Sequence, residues 1–137
     1  MVTAYCNVGS YTNRVKLERA MVFTRVYRIT TFVPPDRLET LLTGIRGIVP
    51  LQYGQYDDSA WWSAEGVEQY RPLPGSNPTS GTPGQISRVA SVRLEFIIPR
   101  DPALLERVVT SGLVPSHPWE EPAVFIDESS ISLSQLR

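Results

Sequence analysis

The stretch from Ser87 to Ile98, SRVASVRLEFII, decides the architecture. Its residues alternate: Ala90, Val92, Leu94, Phe96 and Ile98 fall on one face, and Ser91, Arg93 and Glu95 on the other. Period-two alternation is the signature of a half-buried strand. A second strand is predicted over residues 26–33, VYRITTFV, where β-branched and aromatic residues dominate and Pro34-Pro35 ends the run. There Tyr27, Ile29, Thr31 and Val33 share one side; Val26, Arg28, Thr30 and Phe32 share the other.

Each strand runs into a helix. Pro34-Pro35-Asp36 opens the first, because proline is tolerated in a first turn and an acid suits the positive end of the helix dipole. Leu38, Leu41, Leu42 and Ile45 then fall on one helical face, and Gly44 or Gly47 can stop the helix. Asp101-Pro102 opens the second as N-cap and first-turn proline, with Leu104, Leu105, Val108 and Val109 as its apolar stripe and Gly112 as its stop. Residues 48–56, IVPLQYGQY, read as a strand interrupted by Pro50 and Gly54, and residues 58–71 as a hairpin turning near Glu65-Gly66. A last strand covers Ala123–Asp127.

This order predicts an α+β fold: a ferredoxin-like split βαβ sandwich with an inserted hairpin and a Pro/Gly-rich loop. The expected division is an N-terminal extension over 1–24, with a short helix near Asn13–Met21, one domain over 25–128, and a polar, frayed tail over 129–137. Two helices cover one sheet face. The other face, with Arg28, Thr30, Phe32, Arg93, Glu95 and one of Trp61 and Trp62, is half apolar. Self-association covers such a face most economically, so a symmetric homo-oligomer is expected.

Composition narrows the function. The chain has 137 residues, 42% hydrophobic and 20% charged, which is ordinary for one globular domain. It carries one cysteine, Cys6, and one histidine, His117, so neither a disulfide nor a multi-histidine or multi-cysteine metal cage forms within one chain. A net charge of −1 gives no electrostatic footprint for nucleic acid, and no apolar run is long enough for a membrane-spanning helix. A reducing, cytoplasmic location is expected. There is no P-loop, no G-x-G-x-x-G and no C-x-x-C, and the single lysine, Lys16, lies outside any glycine-rich loop.

Two constellations could carry chemistry. Ser116-His117-Pro118-Trp119-Glu120-Glu121-Pro122 gathers the only imidazole, two carboxylates and an indole between rigid prolines. An imidazole beside a carboxylate is equipped for acid–base work or for a divalent metal, with His117, Glu120 and Glu121 as catalytic groups or metal ligands. The competing reading is that His117 and Glu120 merely satisfy backbone groups in a helix–strand loop. The second constellation, Tyr70-Arg71-Pro72-Leu73-Pro74-Gly75-Ser76-Asn77-Pro78, opens a thirteen-residue loop, 72–84, of which seven residues are Pro or Gly. Arg71 could clamp an anion there while Gly75, Ser76 and Asn77 present backbone N–H groups. Its alternative is a rigid loop with the arginine bonding local carbonyls.

Gly54 and Tyr56, Tyr70-Arg71-Pro72, Gly75-Ser76-Asn77-Pro78 and His117-Pro118-Trp119-Glu120-Glu121-Pro122, in this order, resemble the CutA-like or PII-like domain found inserted in Nif-three-like proteins. The similarity covers about Tyr27 to Asp127. Trp119 stands where that family has tyrosine, and Thr79-Ser80-Gly81 stands where it commonly has Phe-Ile-Gly. Nothing resembles the flanking metal-binding domain, so its activity does not carry over. The resemblance implies a ferredoxin-like fold and homotrimers.

The sequence supports three functions. The favoured one is a regulatory or binding module holding a small anion or divalent metal in an inter-subunit cleft, with Tyr70, Arg71, Gly75, Ser76, Asn77 and Trp119 as ligand-binding residues. The second is a cofactor-free isomerase, dehydratase or cyclase in which His117 acts with Glu120 or Glu121. The third is a structural partner of a larger protein.

Overall fold

A computed structural model describes residues 19–136 and shows an α+β chain built on an antiparallel sheet. β1 (Arg19–Val33) leads through a 3-10 turn (Pro35–Arg37) into α1 (Leu38–Arg46). β2 (Trp61–Trp62), β3 (Gly66–Tyr70) and β4 (Ser87–Pro99) follow. Next, α2 (Pro102–Arg107) runs through a π-helical turn (Val108–Leu113) into α3 (Val114–Ser116). β5 (Val124–Leu136) completes the sheet. β4 and β1 are its inner strands; β2 and β3 pair with the free side of β4, and β5 with the free side of β1.

Register explains the core. Ile29 lies opposite Phe96 on one side and Ile126 on the other, and Thr31 opposite Leu94 and Val124, so the apolar sets of the strands share one face. Tyr27, Ile29, Thr31 and Val33 are buried there with Val92, Leu94, Phe96 and Ile98. α1 adds Leu38, Leu41, Leu42 and Ile45, all buried as its spacing predicts. Both helices lie on this face. Asp101 caps α2 as expected, its Oδ1 accepting from Ala103 N at 3.0 Å and Leu104 N at 3.3 Å.

Several expectations need correction. Gly112 does not stop the second helix; the chain passes through it in the wide π turn, and Val108, Gly112 and Leu113 are the buried residues there while Leu104 and Leu105 are half-buried. Residues 48–56 form no strand. Pro50 has no N–H to give a ladder, Leu51 and Gly54 take left-handed backbone angles (φ 56° and 60°), and only a Tyr53–Tyr56 bridge remains. β2 and β3 are not a hairpin. Both lie along β4, with Trp62 opposite Leu94 and Gly66 opposite Ser91, so three residues face two and the edge bulges at Ser63–Glu65. The adjacent indoles point to opposite faces, yet Trp61 and Trp62 are both exposed, so neither is a core residue.

The domain ends also differ. β1 begins at Arg19, not after residue 24, and the expected helix near Asn13–Met21 lies outside the described residues except for Arg19–Met21, which are strand. Residues 129–136 are strand as well. Arg19–Arg25 pair with Ser130–Leu136, beyond the end of β4, as a two-stranded ribbon.

Gly112 and Gly44 let the two helices meet. A Cβ added at Gly112 would sit 3.0 Å from Ile48 Cγ1 and 3.2 Å from the Gly44 carbonyl oxygen. We therefore expect Gly112→Ala to lower the unfolding free energy by about 1–3 kcal/mol through overpacking. Gly47 has φ −65° and nothing closer than 3.4 Å to such a Cβ. Gly47→Ala should be neutral or stabilise by up to about 1 kcal/mol. Urea denaturation of both variants checks the contrast; equal stability of Gly112→Ala and the parent would contradict the close crossing.

Candidate functional site

The site starts with a pinned imidazole. α3 ends at Ser116, and His117 turns to extended backbone (φ −87°, ψ 138°). His117 as a residue is 7% exposed. Nδ1 accepts the Trp119 backbone N–H at 3.1 Å, so the ring proton must sit on Nε2, which donates to the Phe32 carbonyl at 2.8 Å. Burial lowers the His117 pKa below its ordinary 6.5, while the Phe32 carbonyl and the Glu68 carboxylate partly oppose that shift. The ring thus ties the end of β1 to the loop before β5. Thr31 adds a second tie, its hydroxyl donating to the Ala123 carbonyl at 2.7 Å.

That anchored loop clasps the Pro/Gly-rich one. Glu120 Oε1 accepts the Asn77 backbone N–H at 2.9 Å, and the Thr79 hydroxyl donates to the Pro118 carbonyl at 2.5 Å. Within 72–84, Gly84 N–H donates to the Pro72 carbonyl at 2.7 Å and Ser76 N–H to that of Leu73 at 3.1 Å. Gly75 takes a φ of 93°, which a residue with a Cβ rarely adopts. The Tyr70 hydroxyl reaches across to the Ser80 carbonyl at 2.8 Å. Trp119 Nε1 donates to Glu68 Oε1 at 3.2 Å, and the Tyr70 and Trp119 rings lie 6.0 Å apart, tilted by 54°. Between these parts is an open recess of about 270 Å3, lined by β3 (Glu68, Tyr70), the loop (Pro72, Ser76, Pro78, Thr79, Ser80) and the β5 approach (Trp119, Glu120, Glu121, Ala123).

Of the residues singled out by sequence, Tyr70, Ser76, Trp119, Glu120 and Glu121 line the recess. Asn77 contributes its backbone N–H to the clasp and Gly75 the turn beside it. Arg71 and His117 do not line it. The charged lining side chains are all glutamates, whose field repels an anion, so the expected anion clamp at Arg71 is not part of this recess. His117 lacks a free lone pair for a metal or for proton abstraction from a ligand, because its ring nitrogens are both engaged. Among the described residues no three His, Cys, Asp or Glu side chains converge as a metal site. The satisfied-backbone reading of His117 and Glu120 matches this geometry. Glu68 was missed, although Glu68 and Tyr70 at i and i+2 of one strand share a face.

No protein-family model matches the chain. Curated relatives do. The chain is 30% identical over 96 residues to a "GTP cyclohydrolase 1 type 2 homolog" of Bacillus subtilis, covering 70% of this chain and 25% of that protein. It is 28% identical over 120 residues to a protein of the same description from Mycobacterium leprae, covering 88% and 30%. A crystal structure of a Bacillus cereus protein related to NIF3 superposes with a TM-score of 0.62 at 27% identity, covering 79% of this chain and 26% of that one. The chain thus spans about a quarter of the length of the proteins it is similar to.

The pinned histidine has a pH signature. A buried imidazole with a lowered pKa binds fewer protons folded than unfolded. Stability is then fully present above the unfolded value of 6.5 and is lost as pH falls toward the lower folded value. We expect the wild type to lose more thermal stability than His117→Gln between pH about 7 and about 5, above the range where carboxylates titrate. Melting curves across that range check it; parallel loss in both proteins would contradict the pinned ring.

Proposed function

We propose that this chain is a small-ligand binding module, not an acid–base catalyst, and that it belongs to the NIF3-like family as its CutA-like or PII-like, ferredoxin-like part. The strand order and the two helices on one face support the fold reading. The relatives and the NIF3-related structure, similar over most of this chain, support the family. The name those relatives carry concerns much longer proteins and supplies no cyclohydrolase machinery to these residues.

One observation carries the binding reading. Two loops 43 residues apart in sequence, one pinned through His117 and the other stiffened by four prolines, are clasped so that a recess stands ready-made between them. Preorganisation removes the ordering cost that weakens binding by flexible loops. The only histidine is meanwhile spent on backbone groups, which argues against the isomerase, dehydratase or cyclase reading.

Self-association belongs to the same proposal. The sheet face away from the helices carries the row Trp61, Glu95, Thr30 and Phe125 across β2, β4, β1 and β5. Phe32 packs edge-on against Phe125 with centroids 6.3 Å apart, and the Arg93 guanidinium lies 4.9 Å from the Trp61 ring centre. Phe125 is 55% exposed and Trp61 51%. Apolar rings interleaved with both signs of charge suit a second copy of the same face, and the trimer implied by the resemblance is the oligomer we propose.

Light scattering on the eluted protein tests the assembly: the expected mass is three times the 15.3 kDa of one chain, with Phe125→Glu running as a monomer. A monomeric wild type across the micromolar range would contradict it. For the recess, a fragment screen by 15N-resolved NMR should move the amides of Tyr70, Ser76, Thr79 and Trp119 together. Fragments that move only other surfaces would overturn the binding reading.

A further inference from the structure

The recess has a chemical preference that its shape alone does not give. Its volume, about 270 Å3, suits a compact organic ligand and exceeds a bare ion. Tyr70 and Trp119 both line the recess and form a corner of it, with centroids 6.0 Å apart and planes at 54°. Trp119 is held in place at both ends of its structure: its backbone N–H by His117 Nδ1 and its indole N–H by Glu68. An aromatic corner fixed in this way presents the negative face of the ring quadrupole, which attracts a cation within about 6 Å.

The formal charges around the corner have one sign. Glu68, Glu120 and Glu121 line the recess, and no lysine or arginine does. Glu68 and Glu120 each use Oε1 for a hydrogen bond within the protein, which fixes the carboxylates and leaves Oε2 of each outside those bonds. Burying a cation there brings ring quadrupole and carboxylate attraction together. An anion of the same size would meet repulsion from every charged lining group, and a neutral guest would gain neither term.

We infer that the recess binds a small organic cation of the alkylammonium class, seated in the Tyr70–Trp119 corner and neutralised by Glu68, Glu120 and Glu121. This rests on the reading of the recess as a binding site. Proline-stiffened walls suit such a guest, since a weak cation–π contact is not offset by the cost of ordering the loop.

The test is a matched titration of the full chain followed by 15N-resolved NMR, with the three indole N–H signals assigned through Trp119→Phe. The probes are choline, ethylamine, the uncharged choline isostere 3,3-dimethylbutan-1-ol, and butyrate. The expected result is a shift of the Trp119 indole signal and the Tyr70 amide by choline or ethylamine, with the uncharged isostere about tenfold weaker or worse. Glu121→Gln, at an exposed side chain, should weaken the cation about three- to tenfold while leaving the amide spectrum of the core unchanged. Trp119→Leu should reduce the preference for choline over its isostere, the carboxylate share of it remaining. If the isostere or butyrate shifts the same signals as strongly as the cations, the alkylammonium inference is overturned and the binding reading stands. If none of the four probes moves any recess signal, the inference is overturned; if a broader uncharged and anionic fragment set also leaves those signals in place, the binding reading falls with it.

Discussion

A neutral imidazole bridging two backbone groups is the constraint on which the rest depends. His117 joins the Phe32 carbonyl, at the end of an inner strand, to the Trp119 N–H in the loop before the last strand. A part-buried carbonyl and a part-buried amide left without partners would each carry a desolvation cost on the order of 1 kcal/mol, so this one ring satisfies two groups of the irregular backbone at once. Trp119 is placed as a consequence. Its indole then meets Glu68 and Tyr70, and Glu120 next to it holds Asn77, so the position of the distant Pro/Gly-rich loop is inherited from the histidine.

This order of dependence changes what the conspicuous residues mean. A lone histidine beside carboxylates invites an acid–base reading, but a catalytic imidazole needs a nitrogen facing the reacting group. Here the histidine faces inward and the carboxylates outward, so the two halves of the apparent pair act in different places. Fixed aromatic and acidic walls are what remain at the surface. On the opposite side of the sheet, Phe32 links the two regions: its carbonyl accepts the hydrogen bond from His117 Nε2–H while its ring packs against Phe125 on the open face. Covering that face with a second copy would therefore stiffen the same strand end that anchors the recess.

The sheet core and the first helix were legible because their signals are local. Alternation at Tyr27–Val33 and Val92–Ile98, and the Leu38–Ile45 stripe, each follow from one element's own period. The two Pro-rich segments were legible as stiff loops carrying polar and aromatic residues, but the pairing of Tyr70 with Trp119 was not, because it depends on how two distant loops meet. What was hidden depends on partners far away. Ser129–Leu136 looks like a polar tail, although Ser130-Ile131-Ser132-Leu133-Ser134 alternates, and it becomes strand because β1 extends beside it. Gly112 reads as a stop until its close approach to Gly44 gives the helix a reason to widen and continue. His117 could not be told from a catalytic residue because the Phe32 carbonyl lies 85 positions away. Arg71 suggested an anion by its type, but the sign of the recess is set by Glu68, Glu120 and Glu121 together.

The ring's protonation state is the most direct test of this account. Long-range 1H–15N correlation spectra of the histidine side chain, recorded near neutral pH, distinguish the two neutral tautomers and the charged form. The account predicts a neutral ring with its proton on Nε2 and a bare Nδ1, unchanged when the open sheet face is mutated at Phe125. A proton on Nδ1, or an imidazolium at that pH, would remove the acceptor for the Trp119 amide and contradict the anchored recess.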